Sequence, residues 1–270
     1  MIYLYAYTNF KDGLDSLRRV KVIYDYLTNE GKECEILLNE YRAQLTAREW
    51  GLPLATTIET IKDIDAIAGS EDIVLIDSPE SIEGRVLNYP EKFKKVIYLN
   101  NSCQSVKFNN AIVLDILKPE NLIAPQIKSS KKNGKTIFIY GDSDYEKTIL
   151  KNLEIFKDKN LDLYWGIYFF VKYEDKIKEF FNDIVDSGEY YEVLNEYETV
   201  ITSSLQVAID CAFNGIKIAY LELNELEKCQ KDLLEKLQIK IIKKIPNNIN
   251  IKESKLKEKI SILNIIKSYM

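Results

Sequence analysis

The sequence predicts an α/β protein made of two successive domains. Short apolar runs recur along its 270 residues, and most are followed by a polar turn and a stretch with helical periodicity. Strands that alternate with helices are typical of right-handed βαβ units in a parallel sheet. A polar, basic stretch at 127–135 divides the pattern, and a new strand starts directly after it. We predict an N-terminal domain at 1–126, a linker at 127–135, a C-terminal domain at 136–250 and a C-terminal helix at 251–270 that packs back on the N-terminal domain.

The N-terminal domain is predicted to open with a strand buried on both faces, because Met1 to Tyr7 is apolar, aromatic or β-branched throughout. Four further apolar runs predict strands at Lys32–Leu38, Ile73–Ile76, Lys95–Leu99 and Ala111–Leu114. Helices are predicted between them, with Asp15 or Ser16 as the N-cap of the first, then over Asn39–Trp50 and Thr60–Ala68.

The C-terminal domain repeats the alternation of strands and helices. Its predicted strands are Thr136–Tyr140, Leu161–Tyr168, Thr199–Thr202 and Ile216–Leu221. Its predicted helices are Tyr145–Phe156, Tyr173–Asp186 and Leu205–Asn214, and the last helix of the chain covers Glu253–Ser268.

Composition excludes several kinds of chemistry. The chain has no histidine, which removes Ser-His-Asp and Cys-His catalysis and histidine metal sites. The four cysteines show no paired spacing of the kind that holds zinc, so no metal is predicted. A formal charge of -5 argues against a nucleic-acid partner. No apolar run approaches the length of a bilayer span, so we expect a cytoplasmic protein without stable membrane insertion.

The stretch Asn9–Arg19 joins the first strand to the first helix and carries two arginines near the helix start, where the macrodipole favours anions. One interpretation is that an anion binds at this corner. The other is a solvated Arg18 and a structural ion pair for Arg19. All five arginines lie in the first third of the chain, so anion recognition is expected mainly in the N-terminal half.

Two further strand–turn–helix junctions lie in the C-terminal domain. At Tyr140–Thr148, the turn Gly141-Asp142-Ser143-Asp144 is compatible with a phosphate- or sugar-facing corner, with a DxD metal motif, or with helix capping by Ser143 or Asp144. At Val200–Gly215, Thr202 to Ser204 supply hydroxyls and amides before an apolar helix. Asp210 on that helix needs a partner, either a ligand hydroxyl such as a ribose diol or an unidentified lysine.

These junctions resemble, in order along nearly the whole chain, the UDP-sugar hydrolase of pseudaminic acid biosynthesis and its relatives in spore-coat polysaccharide synthesis. The family's Gly-x-Gly-His-x-x-Arg loop is matched by Gly13 and Arg19, and its Gly-Gly-Ser-Asp turn by Gly141-Asp142-Ser143-Asp144. Its nucleotide-contacting segment is matched at Thr202-Ser203-Ser204, Asp210 and Gly215, and its mid-domain Asp-Ser at Asp77-Ser78.

The departures from the family pattern concern its loop chemistry. Ser16 stands where the family has its loop histidine, and Asp15 where it has its second glycine. Asp210 replaces the family's longer glutamate, and Ser203 and Ser204 replace turn glycines. Hydrolysis by the family mechanism is therefore not implied, although the binding corner is.

The resemblance implies a GT-B-like fold, with two Rossmann-like domains whose parallel sheets face a cleft. UDP would lie on the C-terminal domain with its ribose near Asp210, and the sugar would face the Gly13–Arg19 loop. The site residues implied are catalytic Asp15, Ser16 and Arg19; nucleotide-binding Gly141, Ser143, Thr202, Ser203, Ser204, Gln206 and Asp210; and a substrate loop of Asn9, Asp12, Gly13 and Asp77.

The function expected is glycosyl transfer to an acceptor or to water, with UDP as leaving group, in surface or flagellar glycan synthesis. No cofactor is expected, since the UDP-sugar is the substrate, and the partner is a glycan or protein acceptor. The alternative is a non-catalytic nucleotide-sugar-binding or assembly protein that kept the fold, which the missing histidine favours.

Overall fold

The computed structural model describes residues 1–127, 132–169, 171–246, 251 and 263–269. These residues form two units. The first unit contains Met1–Asn9, Leu14–Ile123 and the C-terminal helix, and the second contains Phe10–Gly13 and the described residues from Ala124 to Ile251. Each unit has a six-stranded sheet, and every strand pair in both sheets is parallel. The predicted fold class of two Rossmann-like domains is thereby confirmed.

The first sheet has the order β3-β2-β1-β4-β5-β6. Its central strand β1 is buried along its whole length and is in register with both neighbours, since Ile2 lies opposite Cys34 and Ile73. The strands are β1 (Ile2–Ala6), β2 (Cys34–Leu38), β3 (Thr56–Thr57), β4 (Ile73–Asp77), β5 (Lys95–Asn100) and β6 (Ile112–Asp115). All five predicted strands are present, and the two-residue edge strand β3 is an addition.

The helices of the first unit are α1 (Asp15–Asn29), α2 (Tyr41–Glu49) and α3 (Tyr89–Lys92), and the segment predicted as helix at Thr60–Ala68 is a 3₁₀ helix over Ile61–Ala66. Two predictions about α1 are wrong. Its N-cap is Leu14, without a side-chain cap from Asp15 or Ser16. Arg18 is buried instead of solvated, because its guanidinium lies 5.2 Å from the centroid of the Trp50 ring.

The second sheet has the order β12-β11-β10-β7-β8-β9. It repeats the topology of the first sheet with its own six strands. They are β7 (Thr136–Ile139), β8 (Asp162–Trp165), β9 (Ile184–Asp186), β10 (Thr199–Thr202), β11 (Lys217–Leu221) and β12 (Lys240–Ile242). The aromatic side chains of Phe138, Phe156 and Phe181 pack together in the core on one face of this sheet.

The remaining helices are α4 (Thr148–Lys151), α5 (Glu174–Lys178), α6 (Tyr190–Glu196), α7 (Leu205–Phe213), α8 (Lys228–Lys236) and, in the first unit, α9 (Leu263–Ser268). The prediction of one helix over Tyr173–Asp186 is wrong. Ile184 to Asp186 form β9 instead, because the β8 edge offers Leu163 to Trp165 as a pairing partner. The predicted helix at Tyr145–Phe156 is reduced to α4 and a short 3₁₀ turn.

Parts of two predicted segments lie outside the described residues, namely 128–131 of the linker and 252–262 before and within the last predicted helix. The predicted domain bounds stay a prediction. Within the described part of the chain, no helix combines the length and apolar character that a membrane crossing needs.

Each sheet has one point where the strand order reverses. It lies between β1 and β4 in the first unit and between β7 and β10 in the second. Parallel sheets of this topology bind ligands outside the carboxyl ends of the strands at that point. The predicted junctions at Asn9–Arg19 and Ile76–Ser78 belong to the first point, and those at Tyr140–Thr148 and Val200–Gly215 belong to the second.

Candidate functional site

The first switch point is held by a buried ion pair between Arg19 and Asp77. The guanidinium of Arg19 donates from Nε to Asp77 Oδ2 at 2.6 Å and from Nη2 to Asp77 Oδ1 at 2.9 Å. Both side chains are almost wholly buried, at 3% and 2% exposure. Two parallel hydrogen bonds between an arginine and a carboxylate fix orientation as well as charge. The structural ion pair, one of the two interpretations of Arg19, is therefore present.

Asp15 and Ser16 at the start of α1 are also engaged with arginines. Arg18 Nη1 donates to Asp15 Oδ1 at 2.9 Å, and Arg19 Nη2 donates to Ser16 Oγ at 3.3 Å. Asp15 is 30% exposed, so this carboxylate is the acidic group of the predicted catalytic set that solvent reaches. The three predicted catalytic residues thus lie together on one helical turn.

The predicted substrate loop is divided between the units. Asn9 lies in the first unit, where its amide donates to the Tyr7 hydroxyl at 3.1 Å. Asp12 and Gly13 belong to the second unit. Gly13 has φ +74°, and a Cβ atom added there would lie 3.1 Å from Asp142 Oδ2. A side chain at position 13 would be strained and crowded, so glycine is required by both backbone and packing.

The second switch point brings two predicted junctions together. The carbonyl of Ile139, at the end of β7, accepts hydrogen bonds from the Ser203 amide at 3.1 Å and the Thr202 hydroxyl at 2.7 Å. Gly141 has φ +140°, and a Cβ atom added there would lie 3.9 Å from the Ser204 Cβ. We call Gly141, Thr202, Ser203, Ser204 and the start of α7 the β7–β10 corner.

Ser204 is the N-cap of α7. Its Oγ accepts from the Val207 amide at 3.2 Å, and its own amide donates to Thr202 Oγ1 at 2.9 Å. The Ser203 hydroxyl donates to the Leu221 carbonyl at 2.7 Å. These bonds fix the turn before α7. A helix start that follows the carboxyl end of a strand is the place where proteins of this topology bind phosphate.

Asp144 acts as a helix cap, one of the interpretations open for the Gly-Asp-Ser-Asp turn. Its carboxylate accepts from the amides of Thr148 at 2.5 Å and Ile149 at 3.0 Å, at the start of α4. Burial raises the pKa of the Asp144 carboxyl to about 6, although those two amides and Lys151 oppose the shift. Among the described residues, no group of three or more His, Cys, Asp or Glu side chains is arranged to hold a metal ion.

Asp210 is fully buried on α7 and is held by neutral donors. Its Oδ2 accepts from the Tyr190 hydroxyl at 2.6 Å, and its Oδ1 accepts from the Gln206 amide at 2.8 Å. These two partners were not identified from the sequence, and a ligand hydroxyl such as a ribose diol near Asp210 stays a prediction. Asp210 fixes Gln206 and Tyr190, so Tyr190 joins the site.

Sequence reasoning missed Tyr190 and Glu80. Glu80 Oε2 accepts from the hydroxyls of Tyr5 at 2.6 Å and Ser78 at 2.9 Å, beside the first switch point. Tyr190 follows β9, a segment that the sequence predicts as helix, and Glu80 follows Pro79. Their position in the chain could have indicated them, because both residues come soon after a strand of a parallel sheet.

No family model matches the chain, and no curated protein matches its sequence. Among solved structures it is similar to UDP-GlcNAc 2-epimerase from Methanocaldococcus jannaschii in complex with UDP-GlcNAc and UDP, with TM-score 0.55 and 12% identity over 99% of each chain. It is also similar to UDP-GlcNAc 2-epimerase from Neisseria meningitidis bound to UDP-GlcNAc, with TM-score 0.51 and 8% identity over 89% of this chain and 87% of that one.

A glycosyltransferase involved in avilamycin A biosynthesis is similar too, with TM-score 0.53 and 13% identity over 99% of this chain and 96% of that one. At such identities the likeness establishes fold alone. The chain therefore has a GT-B-type fold of two Rossmann-like domains.

Removing Asp77 is predicted to destabilise the first unit strongly. Asp77→Ala leaves the buried Arg19 guanidinium without its bidentate acceptor, and breaking such a pair from one side costs about 3–5 kcal/mol. Urea unfolding followed by tryptophan fluorescence measures the change. The matched control is Glu83→Ala, which removes the exposed pair with Lys62 and is expected to cost less than about 1 kcal/mol. Equal losses for the two variants would show that the Arg19 pair is not the stronger constraint.

Asp144 is predicted to titrate near pH 6 in the folded protein. Because its folded pKa lies above the unfolded value, the folded state binds the extra proton, and its contribution to stability falls as pH rises from about 4 to about 6. Carboxyl-carbon NMR of the folded protein measures the midpoint. The difference in unfolding free energy between wild type and Asp144→Asn is expected to decrease over the same interval. A midpoint at or below 4 contradicts the assignment.

Proposed function

We propose that the protein binds a nucleotide-sugar, with UDP as the nucleotide, on the carboxyl edge of the second sheet. The observation that carries the proposal is the meeting of β7 and β10 at the Ile139 carbonyl, which places Gly141 against Ser204 at the start of a nine-residue helix. A glycine next to the amides of a helix start leaves room for a diphosphate to approach the backbone.

In this proposal the phosphates are bound by the amides of Leu205 and Gln206 and by the Ser204 hydroxyl, while the Ser203 and Ser204 amides hold the turn. Gly141 permits close approach of the phosphates to the β7 turn. Asp210 acts as a positioning residue that orients Gln206 and Tyr190. Two solved structures of the same fold are described as complexes with UDP-GlcNAc, which supports the choice of ligand class.

We further propose glycosyl transfer to an acceptor hydroxyl or to water, in surface or flagellar glycan synthesis, as the resemblance to the hydrolase family implies. The bond between the sugar C1 and the UDP oxygen breaks, the acceptor oxygen bonds to C1, and its proton passes to a base. Asp15 is the proposed base, with Ser16 orienting the substrate and Arg19 stabilising the leaving phosphate. No cofactor takes part.

A second candidate is a binding or assembly protein that holds a nucleotide-sugar without turnover. The observations that favour it are that Arg19 already donates two hydrogen bonds to Asp77 and that Asp15 already pairs with Arg18. A base and a phosphate-binding group that are engaged in ion pairs need rearrangement before they act.

Ser204→Ala is predicted to weaken UDP binding by about 10- to 150-fold, since it removes one hydrogen bond to a charged group, which is worth about 1.5–3 kcal/mol. Isothermal titration calorimetry with UDP measures the change. Glu40→Ala is the matched control, because Glu40 caps α2 in the first unit through the Ala43 amide. Both variants lose a helix cap, but Glu40→Ala is expected to bind UDP like wild type. Absence of UDP binding by wild type at millimolar concentration refutes the proposal.

Turnover is tested by UDP release from a panel of UDP-sugars with and without glycan acceptors. An enzyme is expected to release UDP, and Asp15→Asn to lower the rate by about 10²–10⁴-fold, the contribution of a general base. Asp25→Asn, which breaks the exposed Lys21–Asp25 pair on the same helix, is expected to keep the rate. Binding of UDP-sugar without UDP release under any condition supports the second candidate.

A further inference from the structure

Two aromatic rings lie together, half exposed, on the second unit. Phe10 is 50% exposed and Tyr145 is 41% exposed. Their ring centroids are 5.1 Å apart, and the Lys11 ammonium lies 5.3 Å from the Tyr145 centroid. We call Phe10, Lys11 and Tyr145 the aromatic platform. Exposed aromatic side chains clustered beside a polar edge are typical of binding surfaces.

The platform is held in place by one serine. The Ser143 hydroxyl donates to the Phe10 carbonyl, and the Tyr145 amide donates to Ser143 Oγ at 3.2 Å. Gly13 packs closely against the side chain of Asp142, so the backbone on either side of the platform is fixed. A surface that is ordered before the ligand arrives loses less entropy on binding.

The platform is also continuous with the β7–β10 corner. A Cβ atom added at Gly141 would lie 3.9 Å from the Ser204 Cβ, and one added at Gly13 would lie 3.1 Å from the side chain of Asp142, the residue after Gly141. Ser143 follows Asp142 and donates to the Phe10 carbonyl. In a nucleotide-sugar the diphosphate separates the base from the sugar. The sugar ring is therefore expected within a few residues of the proposed phosphate site. The platform offers this ring an apolar surface beside the Lys11 ammonium.

We propose that the aromatic platform binds a sugar ring that carries a carboxylate. The C–H face of the pyranose packs on Phe10 and Tyr145, and Lys11 pairs with the carboxylate. The inference rests on the proposed function for the link between this ring and a diphosphate. The shared chemistry is an acidic pyranose, supplied either by the donor nucleotide-sugar or by a free acceptor.

The test compares UDP, UDP-glucose, UDP-glucuronic acid and a free glucuronate-containing disaccharide by isothermal titration. If the acidic ring belongs to the donor, wild type binds UDP-glucuronic acid at least about fivefold more tightly than UDP-glucose, the effect of about 1 kcal/mol. Lys11→Gln then removes this preference, and Tyr145→Ala weakens both UDP-sugars without changing UDP. If it belongs to the acceptor, the disaccharide binds in the presence of UDP, and both variants weaken it.

Tyr41→Ala is the control, since Tyr41 is 67% exposed in the first unit and is expected to leave every affinity unchanged. Far-ultraviolet circular dichroism checks that the surface variants fold. The proposal is overturned if Lys11→Gln and Tyr145→Ala leave the affinity of both acidic ligands unchanged. It is also overturned if these variants change the affinity for UDP by the same factor as the affinities for the acidic ligands. A wild type that binds no UDP refutes the proposed function, and the disaccharide alone then decides on the platform.

Discussion

The carbonyl oxygen of Ile139 is the acceptor on which the β7–β10 corner depends. It accepts hydrogen bonds from the Ser203 amide and the Thr202 hydroxyl where β7 and β10 end. A parallel sheet leaves the last carbonyls of its strands without ladder partners, and unpaired buried carbonyls are costly. The Ile139 carbonyl is satisfied by two donors at the end of the neighbouring strand β10, and these bonds direct the chain across the sheet edge. The Gly141 turn and the start of α7 are brought together as a result.

The charged groups of both switch points are neutralised by the protein's own partners. Arg19 is bound by Asp77, Asp15 by Arg18, and Asp144 by two backbone amides. Burying a charge without such compensation is strongly unfavourable. The same bonds limit what these side chains do for a ligand, because a group that leaves its partner gives up the stabilisation it had. For this reason the proposed diphosphate site uses backbone amides and hydroxyls of the second unit.

The fold was predictable because its signals are local. Runs such as Ile73–Ile76 are apolar on both faces, which only a covered parallel sheet accommodates. The short edge strands β3, β9 and β12 were not predictable, since each has two or three residues and takes its strand conformation from its neighbour. Ile184 to Asp186 illustrate this, because their helical periodicity was overruled by pairing with β8.

The sequence predicted which positions belong to the candidate site, but it did not predict which side chains bond to one another there. The sequence placed Gly141 and Ser204 after strand ends and Asp210 on the helix that follows, and in the structure a Cβ atom added at Gly141 would lie 3.9 Å from the Ser204 Cβ. It did not identify Tyr190 as the donor to Asp210, because the two residues are joined only by the fold. The expectation that arginine recognises anions in the N-terminal half stays a prediction, and within the fold Arg18, Arg19 and Arg85 have carboxylate partners. The arginine fork that suits a phosphate also suits a carboxylate. In this chain the fork of Arg19 binds Asp77 within the first unit, which is why the proposed diphosphate site rests on the start of α7 in the second.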